Sequence, residues 1–144
     1  MSGMPEARTL LGFDYGKQRI GIAVGQTLTH TVTPLTTLSA VNQKPDWQGI
    51  EKLLKEWQPD MLVVGLPLHM DGTEHEMTQA ARRFGHQLKG RYNLPVAWMD
   101  ERLSSVEAED YLRQHGGKMR SKKQDIDKIA ASLILQSWLE QHTE

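Results

Sequence analysis

The chain has 144 residues, 38% of them apolar and 24% charged, with a formal net charge of -1 and no cysteine. This length fits one domain over residues 1–144, and the composition is that of a folded globular protein rather than a disordered one. Disulfides and thiolate metal sites are excluded, and the near-zero net charge sets up no global field towards a polyanion.

The start of the chain, "MSGMPEARTL", lacks the apolar core of a signal peptide, and the longest apolar stretch, Met61 to Leu68, is too short to span a bilayer. A soluble, cytoplasmic protein with no membrane contact is expected. Residues 8–14 and 19–25 are β-type runs joined by the short "YGKQ" connection and read as a hairpin. Asp14 closes the first run, and a carboxylate at the tip of a buried strand needs a partner, whether turn backbone, counter-charge or cation. "HTVTPLTTL" offers a third strand, with Pro34 suited to an edge or a strand end.

Strand and helix signals then alternate. Trp47, Ile50, Leu53, Leu54 and Trp57 recur at helical spacing, with Pro59 just beyond. "DMLVVGLP" reads as a buried strand. Thr73 and Glu76 have the spacing of a capping box for a helix running towards Gly90. "PVAWMD" is the next strand, Ser104 and Glu107 repeat the capping pattern, and "HGG" offers a helix stop. The last helix is expected from about Asp125, with Ile126, Ile129, Ala130, Leu133, Ile134 and Trp138 on one stripe. The order β-β-β-α-β-α-β-α-α implies an α/β fold: a mixed five-stranded sheet, antiparallel at first and then extended by parallel crossover units, with helices on the sheet. The four tryptophans fall at core-like positions and read as packing residues.

Ligands gather beyond the carboxyl ends of parallel strands in open sheets. Asp14 and Glu101 stand at two such ends, and Asp127 lies at the start of the last helix. Taken singly, each has an ordinary reading, and for Asp127 it is complementarity to the helix dipole. Meeting together, they would stay ionised only around a cation, and an oxygen-only donor set selects Mg²⁺ or Mn²⁺. Such sites stabilise the attacking and leaving oxygens of a phosphodiester displacement, which makes a nuclease the leading hypothesis. Neither a dinucleotide fingerprint, nor a Walker loop, nor the H-E-x-x-H spacing occurs.

Two clusters are basic: Lys118, Arg120, Lys122 and Lys123 in "GGKMRSKK", and Arg82, Arg83, His86, Lys89 and Arg91 along one predicted helix. Solvated surface is the ordinary reading of each.

The segments "GFDYGKQRIGIAVG", "VVGLPLHMDGT", "DERLSSVEA" and "DIDKIAASLIL" resemble, in order and spacing, the signature blocks of the YqgF family, over roughly residues 8 to 139. Its members are described as Holliday-junction resolvases or pre-ribosomal-RNA nucleases, with an RNase H-like fold related to RuvC. The resemblance implies that Asp14, Glu101 and Asp127 are the acidic metal ligands; by position alone Glu74, in the loop after the fourth strand, is a competitor for the place of Glu101, and Asp100 a candidate to assist it. The resemblance further implies a structured nucleic-acid substrate. The 5′ end of precursor 16S ribosomal RNA is the first expectation, a DNA four-way junction the second, and a non-catalytic nucleic-acid-binding module a third. On this basis Lys17, Arg19 and Arg102, together with Lys118, Arg120, Lys122 and Lys123, are candidates for gripping phosphates, in a monomer or weak homodimer. A nucleotide phosphotransferase, suggested by Asp14-Tyr15-Gly16, requires two such domains and is the weaker rival.

Overall fold

A computed structural model describes residues 8–42, 44–69, 71–74, 76–101 and 123–142, with the side chains of residues 101, 123–125 and 142 excepted. In chain order the elements are β1 (Thr9–Tyr15), β2 (Arg19–Gln26), β3 (Thr31–Val41), β4 (Lys44–Pro45), α1 (Trp47–Trp57), β5 (Met61–Pro67), α2 (Glu76–Tyr92), β6 (Val96–Glu101) and α3 (Lys123–His142). The helix expected around Ser104 to Gly117 and the "GGKMRSKK" segment up to Lys122 lie outside the described residues.

The sheet runs β4-β3-β2-β1-β5-β6. β1 pairs antiparallel with β2 and parallel with β5, and β5 pairs parallel with β6. The mixed sheet is therefore as expected, but with six strands rather than five. The addition is the two-residue β4, which folds back on Ala40 and Val41; two residues are too few to carry a periodic signal. Pro34 sits on β3 beside a register shift opposite Ile22 and Ala23, where a missing N–H is tolerated.

β1 lies in the middle of the sheet and is covered on both faces, which explains its unbroken apolar run. Leu11, Phe13 and Tyr15 face one core with Ile22, Leu62, Val64 and Leu66, closed by Phe84 and Leu88 of α2 and Ile50 of α1. Leu10, Ala23 and Val63 face the other, beneath Ala131, Ile134, Leu135 and Leu139 of α3. All four tryptophans pack at the margins of these cores.

Local chemistry accounts for the helix limits. The Asp46 carboxylate caps α1 by accepting from Gly49 N at 3.0 Å, and Gln58 ends it in the left-handed region at φ 46. α2 differs from expectation at both ends. It begins at Glu76, and the Thr73 hydroxyl donates to Asp71 Oδ1 at 2.7 Å within the preceding turn, so the expected capping box does not open this helix. It also runs past Gly90 to Tyr92, where Asn93 adopts φ 55. A buried Thr78 hydroxyl donating to the Pro67 carbonyl ties the first turn of α2 to the end of β5.

α3 begins at Lys123, two residues before the expected start. Its expected stripe divides in two. Ile134 and Trp138 join Ala131, Leu135 and Leu139 on the sheet, whereas Ile126, Ile129, Ala130 and Leu133 form a separate cluster. A helix apolar on two sides does not reveal from spacing alone which side meets the sheet.

Candidate metal and nucleic-acid site

Alternation along β1 places Gly12 and Asp14 on the α3 face, opposite Phe13 and Tyr15. Asp14 is half-buried there and pairs across the sheet with Gly21 of β2. Gly21 carries no side chain, and the backbone of α3 occupies the space. A Cβ built on Gly21 would stand 2.0 Å from the Asp127 carbonyl oxygen and 2.3 Å from its carbon. Cross-strand partners hold their Cβ positions about 4.5–5.5 Å apart. The Asp127 backbone is thus within a side chain's length of Asp14, although 113 positions separate the two residues (127 − 14). A Gly inside a strand marks a close backbone approach, so Gly21 was open to detection in the sequence.

Asp127 is the fifth residue of α3, beyond the first turn where the helix dipole acts most strongly. Its carboxylate is met instead by Arg19, whose Nε donates to Asp127 Oδ2 at 2.7 Å. The two side chains are 32% and 23% exposed. A pair this open contributes only about 0–1 kcal/mol to stability, which makes orienting the carboxylate the more informative consequence. No sequence pattern announces this contact, because Arg19 also reads as an ordinary strand-surface residue.

Arg19 and Asp127 line a cavity of about 190 Å³ with Gly16, Lys17 and Gln18 of the β1–β2 turn. The turn is closed by Gly16 N donating to the Arg19 carbonyl at 2.9 Å, and Lys17 is exposed at its tip.

Glu101 ends β6 in register with Pro67, two residues after the Gly65–Met99 pair. Extending the β1–β5 register by one residue sets Asp14 alongside Gly65. Only a glycine of β5 therefore stands between the Asp14 and Met99 positions, which are two strand spacings apart, about 9.5 Å. Along β6, Ala97 and Met99 pack on the α3 side, and Glu101 follows Met99 by two positions. Asp100 alternates with Met99 and so falls in the same set as Trp98, which packs towards α2.

Glu74 is committed elsewhere. Both its oxygens are engaged by Arg82, at 2.8 and 2.9 Å, and the Arg82 guanidinium holds its carboxyl below the usual carboxylate range. In the second basic cluster Arg91 lies 4.0 Å from the Trp47 ring centroid and His86 packs edge-on to Trp98. Arg82, His86 and Arg91 of this cluster thus have partners within the fold.

Among the described residues no three carboxylates or imidazoles form a metal-sized group. The Glu101 and Lys123 side chains, Arg102, Lys118, Arg120 and Lys122 lie outside the described residues. The donor set still fits a hard cation: Asp14 and Asp127 offer carboxylate oxygens on one face of the sheet, and the chain has no cysteine to supply a thiolate. No described helix is long and apolar enough to cross a membrane.

Residues 8–141 match the family model described as RuvX: Holliday junction resolvase. The chain belongs to this family. The RuvX assignment agrees with the YqgF resemblance of the signature blocks. A relative from Actinobacillus succinogenes is 52% identical over 94% of this chain and 97% of its own length, and one from Nitrosococcus oceani is 54% identical over 94% and 90%. Both carry the name "Putative pre-16S rRNA nuclease". Two solved structures share the fold. The fowlpox virus Holliday junction resolvase aligns with TM-score 0.54 and 16% identity over 92% of this chain and 99% of its own. RuvC of T. thermophilus in complex with a Holliday junction aligns with TM-score 0.54 and 14% identity over 94% and 97%. The architecture is RNase H-like, as the resemblance implied.

Proposed function

We propose that this RuvX-family chain is a metal-dependent endonuclease acting on structured nucleic acid, and that it trims the 5′ end of precursor 16S ribosomal RNA in the cytoplasm. The observation that carries this reading is the juxtaposition of Asp14 and Asp127 across Gly21. Two acids that share a water-accessible face at the strand ends, from opposite ends of the chain, have an electrostatic reason to meet if a cation joins them. The names of the curated relatives support the choice of substrate.

In this reading Asp14, Glu101 and Asp127 hold Mg²⁺ or Mn²⁺, which supplies Lewis-acid stabilisation of the phosphodiester oxygens. The chain itself binds and aligns the backbone. Lys17 and Arg19 lie on the β1–β2 side of the acids, and Lys123 opens α3. Arg102, Lys118, Arg120 and Lys122, close in sequence to Glu101 or to α3, are the further phosphate-binding candidates. Contacts of this type give affinity without sequence preference and weaken as salt rises.

Cleavage of a DNA four-way junction is the second reading, favoured by the family description and the fold shared with junction resolvases. It requires two coordinated cuts and hence a dimer, whereas end trimming is compatible with a monomer or weak homodimer.

The test is cleavage of a precursor 16S RNA fragment and of a four-way junction, with and without Mn²⁺ or Mg²⁺. Asp14→Asn should cut more slowly by roughly 10²–10³-fold, the scale of losing one electrostatic member of a site, with folding and nucleic-acid binding kept. Cutting by Asp14→Asn at the wild-type rate would sink the metal-nuclease reading. Binding without cutting by the wild type under every metal condition would favour a non-catalytic module.

A further inference from the structure

Arg19 touches the proposed metal site and the cavity beside it through different atoms. Its Nε–H is given to Asp127 Oδ2. Its terminal nitrogens donate no hydrogen bond to a described residue, and its side chain lines the cavity with Lys17 and Gln18. A carboxylate has two oxygens, and a donor fixed on one orients the other. Metal-binding carboxylates are commonly held by such outer partners. A guanidinium offers five N–H donors in a rigid fork, so it can serve a carboxylate on one side and a phosphate on another.

The cavity has the composition of an anion seat. It presents a guanidinium, an ammonium and an amide, and its single carboxylate is already neutralised by Arg19. Its volume of about 190 Å³ has room for a phosphate group.

We propose that Arg19 is a two-sided positioning residue: Nε orients Asp127 towards the cation, and its terminal nitrogens, with Lys17, seat one backbone phosphate of the nucleic acid in the adjoining cavity. The proposal rests on the metal-site reading above and deepens it. Its consequence is coupling, since a phosphate drawn to the guanidinium is held in fixed register with the metal ligands, and the cut is made at a set distance from that phosphate.

Two measurements avoid relying on activity. Mn²⁺ affinity is read by electron paramagnetic resonance of free Mn²⁺, without nucleic acid. Affinity for a fluorescent RNA duplex with a 5′ single-stranded extension is read in EDTA across a salt series. Arg19→Ala should weaken Mn²⁺ about tenfold or more and reduce the slope of log affinity against log salt by about one. Lys17→Ala should reduce the slope alike and leave Mn²⁺ affinity unchanged. Arg19→Lys should restore the slope and leave Mn²⁺ binding weak, because lysine keeps the charge and lacks the Nε–H. Wild-type or tighter Mn²⁺ binding by Arg19→Ala, or an unchanged salt slope, overturns the assignment. Asp14→Asn separates the two ideas. If it loses Mn²⁺ while Arg19→Ala keeps it, the Arg19 role alone falls. If both variants keep Mn²⁺, the metal-site reading falls and the Arg19 role with it.

Discussion

Gly21 and Asp127 are in backbone contact. The α-carbon of one carries no side chain at the place where the carbonyl oxygen of the other lies, with 2.0 Å to the position a Cβ would take. Gly12, on the same sheet face, likewise lies under Leu135, 2.5 Å from where its own Cβ would be. α3 therefore settles into a furrow of missing side chains, and this depth of seating brings Asp127 down to Asp14.

Replacing Gly21 with alanine should lift the first turns of α3. Overpacking of this kind costs about 1–3 kcal/mol, and a backbone clash belongs at the upper end. Guanidinium unfolding should show that loss, and Mn²⁺ titration should show weakened binding as Asp127 moves from Asp14. Gly25→Ala is the matched control. Its Cβ would meet Leu135 at 3.4 Å, an ordinary contact, and little change in either measurement is expected.

Glu74→Gln addresses the competing acid. Because Arg82 engages both Glu74 oxygens, the variant should cut at the wild-type rate, and a large loss of cutting would return Glu74 to the site. Its pH signature has a definite sign. Arg82 lowers the folded-state pKa of Glu74 from its ordinary 4.5, so the stabilisation is complete above that value and is lost as pH falls through the folded value. The melting-temperature difference between wild type and Glu74→Gln should accordingly shrink on acidification below about pH 4.5. The pair is exposed, so the difference should be small throughout.

Phe84 tests whether the two faces of the sheet are separable. It is 1% exposed, stacked on Tyr15 at 4.8 Å and Trp47 at 5.8 Å, and edge-on to Phe13 at 5.6 Å. Phe84→Ala should cost about 3–5 kcal/mol in chemical denaturation. The acids lie on the opposite face, so Mn²⁺ affinity measured where the variant is still folded should stay near wild type. A loss of metal binding in the folded variant would mean that the two cores are coupled through β1.

Much of this was open to reading along the chain. The unbroken apolar run before Asp14 reported a strand covered on both faces, and the spacing of Trp47, Ile50, Leu54 and Trp57 reported α1 within its true limits. Asp14 and Asp127 stood out because each was a charge set against apolar sequence. Thr73 misled because Glu74, the next residue, is bridged to Leu68 rather than helical, which spacing alone does not reveal. The last helix misled because it is apolar on two sides.

By itself the sequence determined the order of elements, which faces are apolar, the family blocks and the acids to suspect. These follow from periodicity and residue chemistry, which act over a few neighbours. Only the tertiary structure decided how deeply α3 sits on Gly21, that Arg19 takes Asp127 across 108 positions, and that Glu74 is held by Arg82. The reason is that a pattern specifies which face is buried, whereas strand register and the fit of facing side chains set the distance at which two faces meet.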